Sequence, residues 1–316
     1  MSIFKKFFKD IVHDRDPKKE SVKEKEKPKY YGTVIPYPNF NASSDASVLQ
    51  SGIESKGVDE DVIIAILVKR SNEQRQKIKA VYEASSGKNL VKSLKSVLKS
   101  DLEDVALALL MPPAHFDAYL LRKATKSSEY KQDLEEVIKD ETKGDFMNAL
   151  LALLSAKRDE STEVDMELAR KDAKILFEAA ETKGDIDVST FIDILTTRNG
   201  PQLSKTFHHY AAVSDLKLPR ALQMNLSGDI EDCLIAIVKC AWNTPAFFAE
   251  KLHNAMKGHG TCEDTLMRIL VSRSEIDLQK IVEEYRAMYE NTVHEDILND
   301  TKGHYQKILL GLCGPY

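Results

Sequence analysis

The stretch KGHGTCEDTLMRILVSRS, residues 257–274, decides the fold because its pattern occurs three times in the chain. KGVDEDVIIAILVKRS begins at Lys56, and KGDIDVSTFIDILTTRN begins at Lys183. Each stretch runs from a glycine turn into acidic residues and then into an apolar segment that ends near an arginine. Acidic residues in the first turn of a helix favour the positive end of the helix dipole. The repetition therefore predicts an array of helical units.

Four further apolar segments extend the repetition along the chain: DLEDVALALL from Asp101, GDFMNALLALL from Gly144, GDIEDCLIAIV from Gly228 and GHYQKILLGL from Gly303. Proline is absent from them, leucine, isoleucine and alanine dominate, and no steady period-two alternation occurs. These features favour helices over strands. We therefore predict an all-α protein with an N-terminal segment and four repeats, at residues 1–35, 36–112, 113–157, 158–241 and 242–316.

The second repeat is short. Met256 and Asp300 delimit the central part of the fourth repeat and lie 44 positions apart, whereas their counterparts Thr125 and Glu141 lie only 16 apart. The glycine turn and the helices that follow it are missing. Glu141 is therefore predicted to be an orphan acid, with no carbonyl loop facing it.

The fourth repeat carries the main candidate site, which combines a glycine loop with one acid. Two glycines one residue apart let the backbone turn and aim the carbonyls of Met256, Gly258 and Gly260 at one point, opposite the carboxylate of Asp300. A hard cation such as Ca²⁺ accepts an all-oxygen ligand set. Ca²⁺ takes about six to eight oxygens and this set supplies about five, so positions remain for water or a phosphate oxygen.

Two alternatives remain for this loop. It could be a glycine-rich helix start that binds no ion. It could also be a nucleotide-binding loop, although it lacks the following GK[ST] and no strand precedes it.

Composition limits the class of protein. The charged fraction of 30% and the hydrophobic fraction of 42% are typical of a soluble globular protein. The net charge of -5 argues against nucleic acid as the main partner. No apolar segment is long enough to span a bilayer, and lysines interrupt the N-terminal apolar residues, so we expect neither a transmembrane segment nor a signal peptide. We interpret the four sparse cysteines as reduced core thiols of a cytosolic protein.

The N-terminus carries an apolar stripe at helical spacing, formed by Ile3, Phe4, Phe7, Phe8 and Ile11. Such a helix can dock in the groove of a partner or lie in a membrane interface. The alternative is that it packs into the core of this protein. Residues 16–29 (DPKKESVKEKEKPK) are mostly charged, and we predict that they form a linker that does not pack into a hydrophobic core.

The KGHGT motif with Asp300 resembles the annexin family, and the resemblance covers roughly residues 36–316. It implies five-helix repeats, a slightly curved disc, and convex-face loops that bind Ca²⁺ and acidic phospholipid. The shortened second repeat would keep its first helix and its last two. The resemblance also implies that a small EF-hand dimer binds the N-terminal helix, and it suggests inhibition of phospholipase by covering its lipid substrate.

The resemblance adds two candidate calcium sites in the first repeat. One uses the carbonyls of Gly57 and Val58 with Glu60, and the other uses those of Lys95 and Leu98 with Glu103. The alternative for both is an ordinary capped turn with solvated acids. In the third repeat Asn225 matches Asp300, and because a neutral amide supplies no charge, this site should be weak or empty.

No histidine or cysteine spacing matches a catalytic or zinc motif, so we do not expect an enzyme. We expect a cytoplasmic protein that binds acidic phospholipid membranes peripherally in calcium, for scaffolding, trafficking or aggregation of membranes. The alternative function is an interaction module, in which the N-terminal helix binds the EF-hand partner and the repeats act as a scaffold.

Overall fold

The computed structural model describes residues 30–124, 133–181, 186–258 and 260–315, and the regular elements in these ranges are all helices. Residues Tyr31–Tyr316 form one unit. The first repeat contains α1 (Ala42–Glu54), α2 (Glu60–Leu67), α3 (Asn72–Ser86), α4 (Leu90–Val97) and α5 (Ser100–Leu109). The second contains α6 (Pro113–Ala124), α7 (Leu134–Glu141) and α8 (Gly144–Leu154).

The third and fourth repeats have five helices each, like the first. The third contains α9 (Met166–Glu181), α10 (Val188–Thr197), α11 (Gly200–Val213), α12 (Leu218–Asn225) and α13 (Asp229–Trp242). The fourth contains α14 (Thr244–Met256), α15 (Glu263–Arg273), α16 (Leu278–Met288), α17 (Val293–Asp300) and α18 (Gly303–Cys313). The predictions of an all-α fold and a shortened second repeat are confirmed.

An ion pair with a buried aspartate joins the first two helices in the first and third repeats. Arg70 follows α2 and makes a two-pronged contact with Asp45 of α1, at 2.6 and 2.8 Å. Arg198 follows α10 and contacts Asp172 of α9 at 2.7 and 3.2 Å. A paired and hydrogen-bonded aspartate is tolerated in a core, which explains the arginine at the end of these two apolar segments. In the fourth repeat Arg273 instead pairs with Asp277, four residues further along the chain, at 2.7 Å.

The last two helices of every repeat meet at a similar tight junction. The first helix of each pair has eight residues. A residue with positive φ lies at the start of the second helix. It is the first helical residue at Ser100, Gly144 and Gly303, and it immediately precedes the helix at Gly228. Glycine adopts this left-handed backbone without penalty, whereas Ser100, with a φ of 54°, does so at some cost. The junction sets the end of the preceding helix, which ends at Val97, Glu141, Asn225 or Asp300.

The apolar core is in two parts. One cluster combines the first and fourth repeats and includes Phe116 of α6. The other belongs to the third repeat and includes Ala149 of α8. The shortened second repeat is therefore divided between the two clusters. Leucines on its helices α6 and α8 remain exposed, namely Leu121, Leu153 and Leu154.

The cysteines differ from the interpretation as core thiols. Cys313 is buried, and burial raises its pKa to about 12. Cys233 and Cys240 are half-buried, but Cys262 is exposed, so the interpretation is wrong for this residue. The reason is positional, because Cys262 lies in the glycine loop before α15 rather than in a helix interior.

Candidate metal site

The glycine loop of the fourth repeat connects α14 to α15. Gly258 and Gly260 have φ values of 129° and 100°, which residues other than glycine rarely adopt. No atom lies within 4 Å of a Cβ built at either position, so the backbone conformation, not crowding, requires glycine there. The Cys262 N–H donates to the carbonyl of Ala255 at 2.9 Å and closes the loop.

Asp300 meets this loop through Thr261. The Thr261 hydroxyl donates to Asp300 Oδ2 at 2.6 Å and lies 3.2 Å from the Asp300 carbonyl oxygen. The carboxylate at the end of α17 is thus held against the loop that carries the predicted carbonyl ligands. The structure therefore places Gly258, Gly260 and Asp300 at one locus, with Met256 as the last residue of α14.

The donor chemistry fits a hard cation that draws its ligands mainly from the backbone. No group of three or more His, Cys, Asp or Glu side chains within the described ranges could hold a metal ion. The predicted site has one such side chain, Asp300, and its other ligands would be carbonyl oxygens. Oxygen ligands of this kind suit Ca²⁺.

The loop of the first repeat has the same closure as that of the fourth. The Asp59 N–H donates to the carbonyl of Gly52 at 3.0 Å, and Gly57 has a φ of 90°. The Ser55 hydroxyl donates to the Gly57 carbonyl at 2.5 Å, so one predicted ligand already accepts a hydrogen bond. Glu60 begins α2, two positions after Val58 in the sequence. The use of these residues by calcium stays a prediction.

The second predicted site of the first repeat lies at the junction of α4 and α5. Lys95 is in the last turn of α4, Leu98 is its C-cap, and Glu103 is in the first turn of α5. Leu98 is 3% exposed, so its side chain packs inward. Binding of calcium by the Leu98 carbonyl stays a prediction.

The second and third repeats differ at the position of Asp300. Glu141 ends α7 and is exposed, and its role as an orphan acid stays a prediction. Its counterpart loop, residues 125–132, lies outside the described residues. The Asn225 side chain donates to the carbonyl of Ala221 in its own helix at 2.8 Å, so its amide nitrogen is engaged there.

Sequence reasoning missed the contact of Thr261 with Asp300 and the residues that match Thr261 in the other repeats. Residues can be aligned between repeats by the N-cap of the second helix and by the end of the fourth. On this alignment the pair Thr261 and Asp300 corresponds to Val58 and Val97 in the first repeat, and to Ile186 and Asn225 in the third. Val58, Ile186 and Thr261 each lie one residue before the N-cap of the second helix of their repeat, so an alignment of the repeats by this N-cap would have found them in the sequence.

The annexin sequence profile matches four segments of the chain, at residues 44–109, 127–153, 171–237 and 247–312. The chain belongs to the annexin family. The second matched segment is the shortest, in agreement with the three helices that the structure describes in that repeat.

Known annexins resemble this annexin over most of its length. Annexin A1 of Rattus norvegicus is 47% identical in an alignment of 309 positions, and the alignment covers 89% of this chain and 89% of that one. The solved structure of annexin III is 42% identical, with a TM-score of 0.86 over 90% of this chain and 98% of that one. The structure of calcium-bound annexin (Sm)1 is 28% identical, with a TM-score of 0.80 over 90% of this chain and 93% of that one.

The N-terminal predictions concern Ile3, Phe4, Phe7, Phe8 and Ile11, which lie outside the described residues. Binding of an EF-hand dimer by this segment stays a prediction. Among the helices that the structure describes, none is both long and apolar enough to cross a bilayer.

Proposed function

We propose that this annexin binds acidic phospholipid membranes in a calcium-dependent manner, mainly through its fourth repeat, and that it is not an enzyme. The carbonyls of Met256, Gly258 and Gly260 and the carboxylate of Asp300 would hold the ion. The hydrogen bond between Thr261 and Asp300 carries the proposal, because it joins the glycine loop to the single acid. The similarity to a calcium-bound annexin structure supports the choice of ion.

The ligand set explains why lipid would matter. It supplies about five oxygens of the six to eight that Ca²⁺ takes, and only one of its groups is charged. The site with its bound ion would keep a net positive charge, and the ion would keep open coordination positions for a headgroup phosphate. Asp300 and the loop alone should therefore hold calcium weakly, and an anionic headgroup should complete the site.

The other repeats should contribute less in this proposal. Gly57, Val58 and Glu60 would form one weaker site of the first repeat, and the junction with Glu103 would form the other. Glu141 has no glycine loop among the described residues, and Asn225 is uncharged and bonded within its helix. This annexin should consequently need more calcium than an annexin with four complete sites.

Vesicle co-sedimentation tests the proposal. We expect the chain to pellet with phosphatidylserine-containing vesicles in calcium, to stay in solution when calcium is chelated, and to ignore vesicles of phosphatidylcholine alone. Reversal by chelator after binding is expected as well, since the ion bridges protein and lipid. Equal pelleting with and without chelator would overturn the proposal.

A further inference from the structure

Tyr285 lies on α16 of the fourth repeat, and its hydroxyl contacts side chains of two other helices. The hydroxyl donates a hydrogen bond to Oδ2 of Asp296 on α17. Nδ1 of His253 on α14 lies 3.3 Å from the same hydroxyl oxygen. Because the single hydroxyl proton goes to Asp296, the hydrogen bond from His253 is donated by its Nδ1–H. Tyr285 is fully buried, so it bridges α14 and α17 from within the core of the repeat.

Two neighbouring residues hold the ends of this chain of hydrogen bonds. The His253 ring stacks on the Tyr289 ring, with the two centroids 3.7 Å apart. Asn291 donates to the other carboxylate oxygen of Asp296, Oδ1, at 2.8 Å. The side chains of His253 and Asp296 are only 25% and 16% exposed, so water competes little for their hydrogen bonds. We call His253, Tyr285 and Asp296 the His–Tyr–Asp network.

The buried tyrosine itself occurs in all three five-helix repeats. It follows the arginine of the repeated motif at the same separation each time, as Tyr82, Tyr210 and Tyr285. Each of the three is no more than 1% exposed. The Tyr82 hydroxyl is buried and has no hydrogen-bond partner among the described residues. The tyrosine ring is thus a shared core element, and its bridge to a histidine and an aspartate belongs to the fourth repeat.

Of these three repeats, only the fourth has the histidine and the aspartate. The histidine lies two residues before the carbonyl that closes the loop, and the aspartate lies four residues before the end of the fourth helix. At these two places the first repeat has Gln50 and Ser93, and the third has Phe177 and Ala221. The ionisable partners of the tyrosine therefore coincide with the repeat that carries the double-glycine loop and Asp300.

The His–Tyr–Asp network lies about one helical turn from the two helix ends that carry predicted calcium ligands. His253 precedes Met256, the last residue of α14, by three positions. Asp296 precedes Asp300, the last residue of α17, by four positions, or about 6 Å along the helix. A bridge at this depth constrains the separation of the two ends from outside the predicted ligand set. Calcium ligands lie about 2.3–2.6 Å from the ion, so a small displacement of either end weakens binding.

We propose that Tyr285 is a positioning residue for the calcium site of the fourth repeat. Through its two hydrogen bonds it holds the ends of α14 and α17 at the separation that lets the Met256 carbonyl and the Asp300 carboxylate meet one ion. Replacement of residues that orient metal ligands typically lowers metal affinity by about 10-fold to 100-fold. This inference rests on the proposed function and deepens it, because it requires that this site bind calcium.

Tyr285→Phe removes the hydroxyl and keeps the ring. We expect the calcium concentration for half-maximal binding to phosphatidylserine vesicles to rise by about threefold to tenfold. The amount bound at saturating calcium should stay unchanged, because no lipid contact is removed. Tyr82→Phe is the matched control and should leave the midpoint unchanged, since it removes the hydroxyl of an equally buried tyrosine without these partners. His253→Phe, which introduces the residue of the third repeat, should shift the midpoint in the same direction and serves as the second variant if Tyr285→Phe does not fold.

Hydrogen exchange of the calcium-free chain gives a readout that does not depend on a bound ion. The N–H groups of Thr301 and Cys262 donate the backbone hydrogen bonds that end α17 and close the loop before α15. We expect both to exchange faster in Tyr285→Phe than in the wild-type chain. The matching N–H groups of the third repeat, those of Leu226 and Asp187, should exchange at the wild-type rate.

A purely structural role of the hydroxyl would lower the unfolding temperature and leave the calcium midpoint of the folded variant at the wild-type value. That result would overturn the inference, and so would equal midpoints for Tyr285→Phe and Tyr82→Phe or unchanged exchange at Thr301 and Cys262. If the wild-type chain fails to bind vesicles in calcium, or if Asp300→Asn leaves the midpoint unchanged, the proposed function fails and this inference fails with it.

Discussion

Replacement of Asp300 by asparagine should raise the calcium concentration for half-maximal vesicle binding by roughly tenfold or more. The amide keeps the size of the side chain and can still accept a hydrogen bond from Thr261, which bonds the carboxylate at 2.6 Å in the wild-type structure. It removes the only charged ligand of the predicted set, and the number of charged ligands is a main determinant of calcium affinity. Calcium titration of vesicle co-sedimentation measures the shift.

Glu141→Gln is the matched control. Glu141 ends α7 as Asp300 ends α17, and it is likewise followed by the tight junction to the next helix. Because the counterpart segment, residues 125–132, contains no glycine, we expect its substitution to leave the calcium requirement unchanged. If both variants shift the midpoint equally, a general loss of negative charge explains the effect, and the assignment of the site to the fourth repeat is wrong.

Arg75→Met should lower the free energy of unfolding by about 3–5 kcal/mol. Arg75 is 2% exposed, and its guanidinium donates to the carbonyls of Arg70 at 2.8 Å and Leu109 at 2.6 Å. It also pairs with Glu275 of the fourth repeat at 3.0 Å. Burial lowers its pKa to about 10, so it is still charged at neutral pH. Methionine fills much of the space but leaves two buried carbonyls without this donor, and urea denaturation measures the loss.

The same substitution at an exposed site separates this loss from a general effect of methionine. Arg170 pairs with Glu167 on the surface of α9, and its side chain is 55% exposed. Exposed pairs contribute about 0–1 kcal/mol, so Arg170→Met should change stability little. Comparable losses for Arg75→Met and Arg170→Met would contradict the view that the buried arginine ties the first repeat to the fourth.

Local features of the fold were predictable because they depend on neighbouring residues. Apolar periodicity and acidic first turns predicted the helices, and the spacing between Thr125 and Glu141 predicted the shortened repeat. The division of that repeat between two cores was not predicted. Phe116 and Ala149 each lie on the apolar side of a helix, and the sequence of that helix does not say which core it joins. The choice depends on packing between elements far apart in the chain.

The candidate site was predictable in its ligands and less so in its supporting contacts. Gly258 and Gly260 indicated the turn because few other residues adopt their φ values, and Asp300 followed from the repeat alignment. The bond from Thr261 to Asp300 depends on a side-chain rotamer and on the approach of two segments 39 residues apart. Sequence patterns carry no direct signal for such a bond, although alignment by N-cap places the two residues in corresponding pairs.

Calcium affinity measured with and without phosphatidylserine bilayer discs is the most direct test of the shared site. If a phosphate oxygen completes the coordination that Asp300 and the loop begin, lipid must tighten calcium by the same factor by which calcium tightens lipid. We predict that the dissociation constant for calcium falls by at least tenfold when the discs are added, and that phosphatidylcholine discs have no such effect. An identical calcium affinity with and without phosphatidylserine would contradict the account.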